Sequence, residues 1–274
     1  MSGPDRQRNP VARAFRVLAF MAERQEASWG VRQLAASLGM NASTLHRLLG
    51  ALEAEGLVRQ EAETGRYALG MGFLRVVWLA ATRESLAGIA LPALRGLRDA
   101  TGETALLGVY DRGEGAMMLI AAAESHHAVR NVRPLHTWMP VHGGASGRAL
   151  LASLSGAERE AILAGPLAAV TDATVTDPGA LRRNLDDVRR RGYAVSHGER
   201  VAGGVGIAAP VLAGGGRLVG VVGITMPEQR YSPADEPRLV GLVLAAARAV
   251  AGALEPGAGD ETAKRAGAGA PSLR

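Results

Sequence analysis

The sequence predicts an α+β protein in two parts: an N-terminal winged helix-turn-helix, a linker helix, and a larger C-terminal α/β domain. Three observations carry that prediction. Val31–Leu69 reads as a helix, a tight turn, a second helix and two short strands. Met71–Ala87, which follows, is apolar on nearly every side. From Gly88 onward, apolar runs of strand length alternate with helical ones and glycine-rich turns.

Residues 1–8 are polar and are expected to be a flexible N-terminus. Asn9-Pro10 opens a helix, with a capping side chain followed by proline in the first turn. Val11, Ala14, Phe15 and Leu18 are its expected buried stripe. Glu26–Gly30 connects onward, with a short strand at Ser28-Trp29. In the next helix Leu34, Ala35 and Leu38 share a face, and Gly39 is a stop signal. Asn41 caps the helix after it, where Leu45, Leu48, Leu49 and Leu52 fall at i, i+3, i+4 and i+7. Gly56 ends that helix. Leu57–Gln60 and Arg66–Leu69 then read as two strands around the turn Glu61–Gly65, closing a first domain over residues 9–70.

Residues 71–88 are expected to form one long helix. Phe73, Val76, Val77 and Ala80 make one apolar stripe, and Leu74, Trp78 and Ala81 make another. A surface linker needs no second stripe. Contact with a second copy of the chain is therefore expected.

Residues 89–254 make the second domain. A helix over Pro92–Ala100 leads to a strand at Glu103–Asp111, and the turn Asp111–Gly115 joins it to Ala116–Ala123 as a hairpin. A third strand is expected at Ala128–Val132, with a loop through Trp138 and Pro140 after it. His142–Ala152 is a glycine-rich approach to a helix start. Further helices are expected at Glu158–Leu163 and Leu181–Arg191, the latter stopped by Gly192. Strands at Tyr193–Glu199, Val205–Leu212 and Arg217–Met226 complete a sheet, and a helix from Pro233 to about Leu254 closes the domain. Residues 255–274, rich in Gly and Ala, read as a disordered tail.

With 274 residues, 47% of them apolar, the chain has material for two cored domains. It has no cysteine, which excludes disulfides, thiol nucleophiles and Cys-based zinc sites. The first residues hold no apolar signal core, and no run approaches the roughly 20 apolar residues that span a membrane. A cytoplasmic protein with no membrane partner is expected. The net charge of +5 says less than its placement, because arginines outnumber acids between Met1 and Leu48. A basic head of that kind suits phosphate.

The polar side of the second helix of the pair carries Ser43, Thr44, His46 and Arg47 rather than the mixed Glu and Lys of a merely solvated face. With Arg66 placed at the wing tip by the preceding Thr-Gly turn, this reads as a head that binds double-stranded DNA. Arg47 suits a guanine edge or a phosphate equally well. His46 has packing as a rival role. Arg32, on the first helix of the pair, suits a phosphate.

The order of parts resembles the IclR family of bacterial transcriptional regulators. In the head the resemblance rests on Ser43-Thr44-Leu45-His46-Arg47-Leu48-Leu49, on Leu52-Glu53-x-x-Gly56-Leu57-Val58 and on Gly65-Arg66-Tyr67-x-Leu69-Gly70. In the second domain it rests on Gly147–Ala152, Arg191-Gly192-Tyr193, Glu199 and Ile207-Ala208-Ala209-Pro210-Val211. It covers residues from about 9 to 254. It implies a GAF-like α/β effector-binding domain and a ligand-responsive regulator of metabolic genes, working as a homodimer or a dimer of dimers. It also implies effector contacts at Met139, Ala145, Ser146, Ser196, Gly206, Gly223 and Thr225. The chain departs from the family at Gly206, where Cys, Ser or Ala is frequent, and at Leu212-Ala213, where an aromatic-acidic pair is.

The residues add a physical reason for an acidic effector. A helix opening near Ala145 presents amides without intrahelical partners and the positive end of the helix dipole. A small organic acid with its carboxylate on the Ala145 and Ser146 amides and its body on Met139 is expected. The rival is a tight turn at Gly143-Gly144 with Ser146 as a cap. Gly206 and Gly223, placed on strands where a side chain would face the cavity, further suggest a pocket for a larger acid, up to an aromatic one. The six histidines are scattered, and His126 and His127 are adjacent, so no metal site is expected. No cofactor is expected either. The alternative class, an enzyme with an α/β catalytic domain and an accessory winged helix, lacks a Ser-His-Asp order, a Walker loop or paired carboxylates.

Overall fold

The computed structural model describes residues 9–24, 26–82 and 85–254, so the expectations for residues 1–8 and 255–274 lie outside it. The chain divides into two compact units between Ser85 and Leu86.

In the first unit, α1 (Pro10–Ala22) starts where the Asn9 carboxamide oxygen accepts from the Val11 amide at 2.9 Å. α2 (Val31–Leu38) ends at Gly39, and α3 (Ala42–Ala54) starts at Asn41. Gly39 has φ 63°, a backbone that costs most side chains about 1–2 kcal/mol and glycine nothing. Leu34, Leu45 and Leu49 are fully buried between the helices with Trp29 and Tyr67. β1 (Val58–Gln60) and β2 (Tyr67–Leu69) pair antiparallel, and Trp29 bridges to Tyr67 on the far side of β2.

The stripe of α1 is rotated from the expected one. Val17, Leu18 and Met21 are buried, whereas Val11 and Phe15 stand 75% and 71% exposed. Ala14, Val17, Leu18 and Met21 also satisfy i, i+3, i+4 and i+7, and they are the ones that pack with Leu34, Leu45 and Leu49 in the core of the head. The linker helix is likewise shorter than expected. α4 is described over Met71–Thr82, Ser85 is not helical, and α5 (Leu86–Thr101) begins the second unit. α5 takes in Pro92 as an exposed interior residue, so the start expected at Pro92 is wrong; Ala90, Leu94 and Leu97 give the true buried stripe.

The second unit is a six-stranded antiparallel sheet in the order β5-β4-β3-β8-β7-β6. Its strands are β3 (Thr104–Asp111), β4 (Ala116–Ala123), β5 (Trp138–Pro140), β6 (Ala194–His197), β7 (Gly204–Ala213) and β8 (Arg217–Pro227). Alternation puts Ala105, Leu107, Ile207 and Val222 on one face, under α5 and α9 (Glu236–Ala253). Leu106, Met117, Leu119 and Ala208 face the other way, under α6 (Gly144–Ser153) and α8 (Pro178–Arg191). Both faces being covered makes three layers. α7 (Gly156–Leu163) opens with a Ser155–Glu158 capping box.

The strand expected at Ala128–Val132 is instead a loop with bends at Ala128 and Val129. Arg230 Nη1 donates to the Val129 carbonyl at 2.8 Å while its other nitrogens hold Glu103 at 2.5 and 2.6 Å, so a side chain satisfies the loop. The neighbour of β4 is β5, with Met117 opposite Met139. The expected loop and the expected strand thus exchange places.

Gly147 shows how closely α6 seats. A Cβ there would stand 2.3 Å from the Val141 carbonyl oxygen. Gly147→Ala should therefore destabilise the protein by about 2 kcal/mol or more. Chemical denaturation checks this, and an unchanged midpoint would mean that α6 seats differently.

Candidate functional site

In the first unit, the polar face of α3 is presented as the sequence suggests. Ser43, His46 and Arg47 are exposed and Thr44 is half-buried, opposite buried Leu45 and Leu49. Ser43 Oγ donates to the Asn41 side chain at 2.7 Å, which also accepts the Ser43 amide at 2.9 Å. With its proton committed, that hydroxyl faces outward as an acceptor. Neither His46 nor Arg47 is held by an ion pair or side-chain hydrogen bond among the described residues. Arg32 is exposed on α2. Arg16 of α1 braces the turn by donating to the Leu38 carbonyl at 3.1 Å.

Arg66 is not at the wing tip. It immediately precedes β2, and its guanidinium turns back onto Ser28 Oγ at 3.2 Å, the Ser28 carbonyl at 2.6 Å and Gln33 Oε1 at 3.4 Å. The tip is Glu61–Gly65, closed by the Gly65 amide on the Glu61 carbonyl at 2.8 Å. The long arginine reaches local acceptors at the base of the wing, a compensation that spacing alone does not reveal. Arg59, exposed on β1, is the wing cation that the sequence reading passed over.

In the second unit, a cavity of about 50 Å³ lies between the sheet and the opening of α6. Met139, Ala145, Ser146, Ser196, Gly206 and Thr225 all line it. These residues come from β5, α6, β6, β7 and β8, so the fold alone brings them together. Gly223 is the exception and does not line the cavity. A Cβ on it would stand 2.7 Å from the Ile207 carbonyl and 2.9 Å from the Ala208 Cβ, so it serves close approach of β7 to β8. Gly206 does face the cavity, but Ser196 Oγ at 3.2 Å and the Ala145 Cβ at 3.4 Å already occupy the space a side chain would claim. The two glycines thus do not enlarge the pocket, and 50 Å³ suits a few water molecules at about 10–15 Å³ each, or a short acid.

The α6 opening is also partly spent. The Ala145 amide donates to Ser196 Oγ at 2.9 Å, and the Gly144 amide donates to Glu199 Oε2 at 3.2 Å. The expected carboxylate on the Ala145 amide must therefore displace Ser196. Ser146, third in the helix, has an amide with no intrahelical acceptor.

Two lining residues escaped the sequence reading, Arg133 and Arg200. Arg200 packs over Gly144, whose φ of 75° requires glycine, and donates to the Pro140 carbonyl at 2.7 Å and to the Gly143 carbonyl. Burial, and then the charge of Arg133, bring its pKa down to about 10. Burial lowers that of Arg133 as well. Both stay charged at neutral pH. Behind them Arg148 of α6 and Glu199 form an ion pair at 2.8 Å, both less than a tenth exposed, and Arg148 also donates to the Val195 carbonyl. Burial raises the Glu199 carboxyl against the opposing pull of Arg148. An arginine in a loop has no periodic signature, and only the adjacency of Arg200 to Glu199 hinted at its place.

Among the described residues, no three His, Asp or Glu side chains group to hold a metal, and no helix is long and apolar enough to cross a membrane.

Residues 79–252 match a family model described as the bacterial transcriptional regulator IclR C-terminal domain, and residues 10–62 match the IclR helix-turn-helix domain. The HTH-type transcriptional regulator BhcR of Paracoccus denitrificans is 33% identical over 225 residues, which cover 82% of this chain and 80% of that protein. The transcriptional repressor IclR of Escherichia coli is 29% identical over 241 residues, 88% of each chain. Among solved structures, an IclR homologue from Microbacterium hydrocarbonoxydans complexed with 4-hydroxybenzoate superposes with a TM-score of 0.76. It is 28% identical, over 90% of this chain and 99% of that one.

Proposed function

The chain belongs to the IclR family of bacterial transcriptional regulators and is a ligand-responsive DNA-binding regulator, and we propose that α3 reads its operator while the α6 cavity binds a small organic acid. Ser43, Thr44, His46 and Arg47 approach base edges in the major groove, with Arg32 on phosphate. Arg66 acts by shaping the wing rather than by touching DNA at its tip. Met139, Ser146, Ser196, Gly206 and Thr225 surround the effector, and Arg133 and Arg200 supply the charge it meets. The observation that carries this reading is the coexistence of two half-buried arginines in the cavity wall with an outward helix face on which His46 and Arg47 are held by no internal partner among the described residues. The relatives are regulators, and they lend nothing to the enzyme alternative.

A mobility-shift assay with the DNA upstream of the chain's own gene tests the assignment. Sequence-specific retention that an organic acid alters is expected, and retention of all DNA alike at every salt concentration would overturn it.

The working unit is proposed to be a homodimer, or a dimer of such dimers. Met71, Leu74, Val76 and Val77 of α4 are 48–76% exposed, a run of apolar surface that a solitary helix would not keep. A two-fold pair of heads reads half-sites about one helical turn apart. An effector changes their spacing by no more than its differential affinity for the two arrangements. Val77→Glu should yield monomers by light scattering and weaken operator binding; a fully dimeric variant would place the interface elsewhere.

A further inference from the structure

The α6 cavity carries more positive charge than a single carboxylate neutralises. Arg133 precedes β5 and Arg200 lies between β6 and β7, so two unrelated segments each deliver a guanidinium to one small space. Among the described residues neither is paired with a carboxylate. Glu199, the nearest acid in sequence, is committed to Arg148 at 2.8 Å and to the Gly144 amide at 3.2 Å. The contacts that Arg200 does make, to the Pro140 and Gly143 carbonyls and to Met117 Sδ at 3.8 Å, satisfy hydrogens without neutralising charge. Among the described residues, the hydrogen-bond partner of Arg133 is Met139 Sδ, at 3.9 Å. Arg200 feels Arg133 as a like charge, with Glu199 opposing it from farther off than an ion pair. Leaving two partly desolvated cations facing each other is costly unless something else supplies the anions.

The walls between them also matter. Leu106, Met117, Leu119 and Ile224 give the cavity an apolar side that inorganic phosphate or sulfate would not use. A molecule with two planar carboxylates joined by a short hydrocarbon body meets both requirements. Each carboxylate matches the fork of one guanidinium, and the body lies on the apolar wall.

We propose, resting on the reading of this cavity as the effector site, that its effector is a short dicarboxylate of about two to four carbons, the cavity having room for only a few waters' volume. One carboxylate pairs with Arg200 and the other with Arg133. A monoacid leaves one guanidinium unpaired and binds less tightly.

Calorimetry on the full chain at neutral pH tests this with malonate and succinate against their monoamides, malonamate and succinamate, which keep the shape and remove one charge. The diacids are expected to bind at least tenfold more tightly than the monoamides. Arg133→Gln, which removes the charge and the hydrogen bond to the thioether, should bring diacid and monoamide to within twofold of each other. Arg200→Lys keeps the charge and loses the fork, so it should weaken both acids while preserving the preference. Equal binding of diacid and monoamide to the parent overturns the dicarboxylate while leaving the effector site in place. So does a preference that survives Arg133→Gln, or tighter binding of inorganic phosphate than of any diacid. If no acid of either class binds, the inference and the reading of the cavity fall together.

Discussion

Glu199→Gln should lower the stability of the second unit by about 3–5 kcal/mol, because it strands the buried Arg148 guanidinium without its counter-charge. The midpoint of thermal unfolding should fall by roughly 10 °C for a unit of this size. Glutamine keeps the shape and an oxygen for the Gly144 amide, so the loss isolates the charge rather than the packing. Arg148→Met alone should cost a similar amount, since it leaves a carboxylate less than a tenth exposed without its ion-pair partner. The double variant should recover most of the loss, as two neutral groups of similar volume need no desolvation to be repaid. Denaturant unfolding of the three variants checks the cycle. Singles that lose less than about 1 kcal/mol would mean that water reaches the pair.

Burial raises the Glu199 carboxyl above its ordinary value while Arg148 pulls it back down, so the two groups hold their charges against the cost of desolvation. The pair's use is thus positional: it anchors the start of α6 to the segment after β6, beside the cavity, at some expense in stability.

The parts of the fold that were legible are those in which neighbours in sequence decide the structure. Asn9 and Asn41 cap helices because a short polar side chain reaches amides two residues on. Gly39, Gly56 and Gly192 end helices at positive φ for reasons equally local. Register of the β3–β4 hairpin follows from its turn as far as the irregularity between Leu107 and Gly108. What failed depends on partners distant in sequence. Phe15 fits a helical stripe as well as Val17 does, and only the positions of α2 and α3 decide between them. Residues 128–132 have strand composition, yet Arg230 takes the carbonyl that a strand would have used. Gly223 and Gly206 look alike in sequence, and the approach of Ala208 separates them. The cavity was found at six positions because a resemblance named them. Its charge was missed because Arg133 and Arg200 sit in loops, where no period marks a residue as facing inward.

Arg47→Ala should weaken specific operator binding by about 1–3 kcal/mol, a loss of roughly five- to more than a hundredfold, if the guanidinium reads a base. The structure favours that outcome over a packing role, because Arg47 is exposed on the face opposite Leu45 and Leu49 and spends no donor within the head. The loss should be confined to one position of the operator, so a panel of single-base changes becomes indifferent at that position alone. A uniform loss on all sequences, with a salt slope shallower by about one, would place Arg47 on phosphate instead. Unchanged binding would remove it from the interface. Arg66→Ala supplies the contrast. Its guanidinium is bound to Ser28 and Gln33, so its removal should loosen the wing and lower the unfolding midpoint of the head, which Arg47→Ala should leave in place. Binding and stability measured on both variants therefore separate a residue that reads DNA from one that only holds the reader in shape.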